Sequence, residues 1–212
     1  MTGPRRRGGE VLALAVAERT DFADFLETLT PREWDAPSLC ERWTVREVVA
    51  HVVSYDELSW RGTAKRFARG RFASGRVNQL GVAEYARDSR ELIGLLRAHR
   101  RPSGLPAAFG GMIALVDGMI HHQDIRRPLG LPRDIPHERL RTALRLALLA
   151  PPIRAFVRAR GLTLVATDLD WSRGSGPEVR GRGEALLMAV AGRADALGEL
   201  SGPGQPLLAE RV

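Results

Sequence analysis

Residues 111–130, GMIALVDGMIHHQDIRRPLG, constrain this chain more than any other stretch. They read as an amphipathic helix that carries ionisable groups on its apolar face. With about 100° per residue and Asp117 at zero, His121 falls near ~40° and Asp124 near ~340°. Ile113 and Ile120 fall near ~320° and ~300° on the same wheel. Asp117, His121 and Asp124 therefore share a stripe with isoleucines that should face a core. Burying such groups unpaired is costly, so a hydrogen-bond network or a metal ion must satisfy them. Asp and His four residues apart present an oxygen and a nitrogen to one point, as two ligands of one ion do. His122 points ~100° away from His121, so the His-His doublet is not itself a chelating pair.

The rest of the chain supplies a bundle for this helix. A first helix is expected over residues 10–29, ended by Thr30-Pro31. A second runs over 44–60, started by a capping box of Thr44 and Glu47 with Trp43 and Val48 as a hydrophobic staple. Residues 65–78 are basic and contain glycine, and read as a long connection. A third helix is expected over 79–97. The opening stretch is the fourth, stopped by Pro128 and Gly130. Residues 136–160 read as further helix broken at Pro151-Pro152. The character changes at Gly161. Residues 162–167 alternate and are β-branched, which predicts a strand. A Gly-rich turn over 171–177 leads to a short returning strand over 178–180. Residues 184–191 and 194–200 read as helices, and 201–212 as a loose tail. The expected fold is mostly α: a disordered basic tail (1–9), a four-helix bundle (10–160) and a small α/β appendage (161–212).

The formal charge of +7 and the pI near 10.9 come almost wholly from arginine, Lys65 being the one lysine. The arginines are scattered apart from short runs such as Arg5-Arg6-Arg7 and Arg126-Arg127, so no nucleic-acid surface is expected. Glu10 interrupts what would mimic a signal peptide, and no apolar run is long enough to span a membrane. A cytoplasmic protein with a small-molecule substrate is expected, as a monomer or homodimer. Cys40 is the sole cysteine, which excludes an intramolecular disulfide. It reads as a small packed loop residue, with a nucleophile as the other reading.

His51 sits at the edge of the apolar stripe of the second helix, with Tyr55 one turn on. His51, Asp117 and His121 then make two histidines and one carboxylate on two helices. Three protein ligands with a position left open is the pattern of catalytic zinc. Asp124 can orient an imidazole from behind. A buried Asp–His network without metal is the alternative.

Residues 33–51, EWDAPSLCERWTVREVVAH, together with residues 121–130, HHQDIRRPLG, and the segment from Ala166-Thr167-Asp168-Leu169-Asp170-Trp171 through Gly192-Arg193, resemble the mycothiol-dependent maleylpyruvate isomerase family. That family is a branch of the DinB-like metal-binding bundles, and the resemblance spans roughly residues 10–202. It implies a divalent metal, typically zinc, held by the second-helix His and by a Glu and His four apart on the fourth helix: here His51, Asp117 and His121. This chain has Asp, one methylene shorter, where the family pattern has Glu. The resemblance further implies mycothiol as a thiol cosubstrate, for cis–trans isomerisation by addition, rotation and expulsion, or for S-transfer onto a small electrophile. Arg193 of the appendage is a candidate for closing over the bundle mouth, and Tyr55 for donating a proton. A DinB-like metalloenzyme working without mycothiol, or a non-catalytic binding bundle, remain alternatives.

Overall fold

The computed structural model describes residues 4–212, with side chains described from residue 9 onward. The chain separates into two compact units, Met1–Leu131 and Pro132–Val212.

The first unit is a four-helix bundle with a helical insertion. Its helices are α1 (Pro4–Glu27), the single turn α2 (Pro31–Trp34), α3 (Val45–Val53), α4 (Trp60–Arg69), α5 (Ser74–Glu84), α6 (Ser89–Ala98) and α7 (Ala108–Leu129). The bundle proper is α1, α3, α6 and α7, in which α1 and α3 each pack against both α6 and α7. Phe22, Phe25 and Leu26 of α1, Val45, Val48, Val49 and Val52 of α3, Leu92 and Leu96 of α6 and Ile125 of α7 form one buried cluster. Spacings of three and four residues put these side chains on one face of each helix, so burying that stripe drives the assembly.

Helix α1 begins at Pro4, so residues 4–9 of the expected disordered tail are helix, and residues 1–3 lie outside the described residues. The start of α3 follows the expected capping box. The Thr44 side chain accepts from Glu47 N, and Glu47 Oε2 accepts from Thr44 N at 2.8 Å. This cap sets the origin of the helix that carries His51. Thr44→Ala should lower stability by about 1 kcal/mol, read by urea unfolding.

Two helical readings need correction. The second helix ends at Val53 rather than continuing to residue 60, and the expected connection over 65–78 is a helical hairpin, α4 and α5. Ser59 caps α4 by accepting from Gly62 N at 3.2 Å, and Gly70 ends it. Arg66, 2% exposed, ties the hairpin to α3 by donating to Ser54 O (2.9 Å) and Glu84 Oε2 (2.7 Å). A basic residue that reads as surface therefore anchors the insertion. Residues 79–97 are not one helix either. Asp88 starts α6 afresh, its Oδ1 accepting from Glu91 N at 2.8 Å.

The fourth long helix is preceded by three left-handed residues, Phe109, Gly110 and Gly111 (φ 54°, 70° and 88°), which turn the chain into a regular helix from Met112. Gly111 packs against Leu12 of α1. The helix ends at left-handed Gly130, as expected, since only glycine adopts that cap without strain.

The second unit holds α8 (His137–Ala147), α9 (Ala155–Arg158), strands β1 (Thr163–Ala166), β2 (Ser172–Gly174) and β3 (Glu178–Gly181), then α10 (Gly183–Val190) and α11 (Gln205–Ala209). The sheet order is β2-β1-β3, β1 running antiparallel to β2 and parallel to β3. Within this unit α8 buries Leu140, Ala143, Leu144 and Ala147 and packs against α10. That places the division after Leu131, earlier than the boundary after residue 160 drawn from sequence. The expected loose tail is also structured. Ser201 pairs with Arg180, and α11 buries Leu208 completely. No helix among the described residues is long and apolar enough to cross a membrane.

Candidate metal centre

Three ligand-bearing side chains meet where α3 packs on α7. Asp117 and His121 stand one turn apart on α7, with His121 Nε2 3.5 Å from Asp117 Oδ1. His51 comes from α3, its Nε2 3.9 Å from Asp117 Oδ2. One ligand atom from each residue lies within 4.8 Å of the other two. Ligands bound ~2.1 Å from one tetrahedral ion sit ~3.4 Å from each other, so these separations suit a small divalent cation. At 3.9 Å the His51–Asp117 contact is too long for a hydrogen bond, whereas Asp117 lies within reach of His121. Both histidines are buried, whereas the Asp117 side chain is 43% exposed. The cluster therefore opens to solvent on the Asp117 side.

The two imidazoles are held differently. His121 Nδ1 lies 2.9 Å from Asp124 Oδ2, and Asp124 is fully buried. That contact assigns a proton to Nδ1, so in the neutral ring the Nε2 lone pair is directed at Asp117 and His51. His51 is held by rings. Trp43 lies against it at 5.0 Å between centroids, and Tyr55 and His121 meet it edge-on at 6.1 and 4.9 Å. His51 Nδ1 is buried with no hydrogen-bond partner among the described residues. The donor set, two imidazole nitrogens and one carboxylate, fits zinc or a similar ion.

Burial pushes the His51 pKa down to about 4, against a smaller opposing pull from Asp117. Burial also disfavours charge on His121, but the Asp117 charge and hydrogen bonding to Asp117, Asp124 and Cys40 hold its pKa well above the ordinary value. In metal-free protein His51 should stay neutral at pH 6 while His121 is protonated, which ring-nitrogen NMR resolves. The stability signs are opposite. Between about pH 4 and 6.5 the unfolded chain binds more protons at His51, so this contribution is lost as pH falls through that window. The His121 contribution is present below the unfolded value and is lost as pH rises through its raised pKa.

The remaining sequence candidates are placed as follows. Tyr55 donates to Asn78 Oδ1 at 3.0 Å and receives the Arg66 guanidinium on its ring face at 4.9 Å. His122 turns away from the cluster, fully buried against Phe22, with Nδ1 3.0 Å from Glu18 Oε1. Arg126 covers the Phe25 ring at 3.7 Å and donates to His122 Nε2 at 2.8 Å, so it belongs to that network. Arg193 lies in the second unit, where it donates to Ala191 O at 2.9 Å.

Cys40 is the residue that the sequence reading undervalued. Its Sγ lies 3.2 Å from Asp124 Oδ2 and 3.7 Å from His121 Nδ1. The loop is fastened there because Leu39 N donates to Asp124 O at 2.9 Å and Ser38 Oγ to Trp43 O at 2.7 Å. Trp43, read only as a staple, also forms a wall of the site. The single available signal was that Cys40 and Trp43 fall in the loop leading directly into the His51 helix.

Comparison with known proteins finds a matching family model and similar solved structures. Residues 15–98 match the family described as mycothiol maleylpyruvate isomerase N-terminal domain. Among solved structures, the mycothiol-dependent maleylpyruvate isomerase is similar with a TM-score of 0.61 at 18% identity, covering 97% of each chain. A histidine-to-alanine mutant of that isomerase gives a TM-score of 0.62 at 17% identity with the same coverage. No curated protein matches the chain. The overall likeness shows a shared DinB-like fold, and the segment 15–98, which includes α3 and His51, belongs to the mycothiol maleylpyruvate isomerase N-terminal domain family.

Proposed function

We propose that the protein is a metal-dependent, thiol-using enzyme that isomerises a small electrophilic metabolite or transfers a thiol sulfur onto it. His51, Asp117 and His121 hold the cation, and mycothiol is the thiol cosubstrate. The convergence of these three groups on one open point carries the reading. When bound, a divalent cation lowers the pKa of a thiol at its open position and so generates the nucleophilic thiolate near neutral pH.

The chain's own residues prepare that position. Asp124 holds the proton at His121 Nδ1, which keeps Nε2 available as a ligand. Trp43 and Tyr55 fix the His51 ring by packing. Asp117 supplies the negative charge and lies on the solvent-open side. Burial raises the Tyr55 pKa, so its hydroxyl keeps its proton near neutral pH. The isomerase with the similar fold acts with mycothiol on maleylpyruvate, which makes that pair the first substrate test.

The experiment is elemental analysis of untagged protein prepared without chelator, followed by turnover of maleylpyruvate with and without mycothiol, beside His51→Ala. About one equivalent of zinc or a related ion is expected, with turnover lost on omitting mycothiol or replacing His51. Metal-dependent turnover indifferent to mycothiol would replace the thiol step with another metal-assisted reaction. Absence of metal would leave a non-catalytic bundle.

A further inference from the structure

Two amide side chains on α5 are each held by the oxygen. Trp43 Nε1 donates to Gln79 Oε1 at 3.3 Å, and the Tyr55 hydroxyl donates to Asn78 Oδ1 at 3.0 Å. An indole N–H can only donate, so Gln79 must present its oxygen to Trp43 and its NH2 elsewhere. Asn78, anchored by Tyr55, is turned in the same sense. Among the described residues neither amide nitrogen has a hydrogen-bond partner. Both anchoring rings also lie against His51. The adjoining space is open: on the helical wheel Gly75 falls between Asn78 and Gln79, and a Cβ added there meets nothing within 4 Å.

We infer that Asn78 and Gln79 form an oxygen-binding rim beside the metal centre, and that this rim takes a carboxylate of the substrate. The inference rests on the small-molecule reading of the His51 site. Its chemistry follows from what the rim offers, two neutral NH2 donors on side chains whose oxygens already accept from Trp43 and Tyr55. A carboxylate carries acceptors only and matches these donors. The aromatic anchors fix the donors in advance, so little side-chain freedom is lost on binding. The α4–α5 hairpin thereby gains a role in selecting substrate, in addition to its packing on α3.

The test uses Gln79→Glu and Asn78→Asp. Each variant keeps an oxygen for Trp43 or Tyr55, replaces the outward NH2 by a second oxygen and adds a negative charge. Maleate is the probe, titrated calorimetrically into full-length protein whose metal content has been measured beforehand. Each variant should bind maleate at least ~10-fold more weakly with metal stoichiometry unchanged. Ser74→Asp puts the same charge one turn away without removing a donor, and should change affinity by less than ~3-fold. Unchanged affinity in Gln79→Glu and Asn78→Asp overturns the inference. So does an equal loss in all three variants, which would be charge repulsion alone, or a wild-type protein that does not bind maleate. Failure of the metal reading is seen separately, as protein without metal, and the same three variants then decide the rim on the protein as purified.

Discussion

Asp117→Ala is expected to lower affinity for the bound cation by ~100-fold or more, while His122→Ala leaves metal content unchanged. The two residues stand five positions apart on α7 and face different partners. Asp117 is the one anionic member of its cluster, with oxygens 3.5 and 3.9 Å from the two imidazole nitrogens. Removing it leaves two neutral ligands, which cannot offset the cost of stripping water from a divalent ion. His122 instead closes a dry network with Glu18 and Arg126 and stacks on Phe22 at 4.5 Å. His122→Ala leaves Glu18 buried beside a cavity, so it should destabilise the fold by about 3 kcal/mol. Elemental analysis and urea unfolding on the same two preparations separate the effects. Equal metal loss in both variants would mean that the ion sits on the other side of α7.

The stripe of α7 was legible because the helix is regular from Met112 onward, so a wheel drawn from sequence brings Asp117, His121 and Asp124 to one side, although Asp117 and Ile113 are only partly buried there. His51 was legible for a similar local reason: the Thr44–Glu47 cap fixes where its helix starts. What stayed hidden depends on contacts distant in sequence. Cys40 reaches Asp124 only because the loop before α3 is hydrogen-bonded to α7, 84 residues away. Asn78 looked like a connection residue, and Gln79 like the start of the third helix, because the hairpin carrying them is basic and glycine-containing. Its helicity depends on buried Arg66 and the Ser59 cap more than on an apolar stripe. The break between α5 and α6 was missed for the converse reason. Leu92 and Leu96 continue a helical pattern across Asp88, whose side chain nonetheless restarts the helix.

Asp56→Ala should be among the most destabilising single substitutions in the first unit, costing about 3–5 kcal/mol in urea unfolding. Arg19 and Asp56 are 1% and 4% exposed and meet in a two-pronged pair, at 3.0 and 2.7 Å. Arg19 also donates to His99 O at 2.6 Å, and Ser103 donates through Oγ to Asp56 O at 2.6 Å. The pair therefore joins α1 to the turn after α3 and to the approach of α7, bracing the frame that brings His51 to Asp117. Arg19 Nε already lacks a partner, so losing Asp56 leaves a buried guanidinium with one carbonyl as its remaining hydrogen-bonded neighbour. The double variant Arg19→Met, Asp56→Leu should recover much of the loss, because it removes both charges together. Recovery should stop about 1–3 kcal/mol short of wild type, since His99 O and Ser103 N lose their partners. A double variant no more stable than Asp56→Ala would show that packing around Arg19, rather than the unpaired charge, sets the cost.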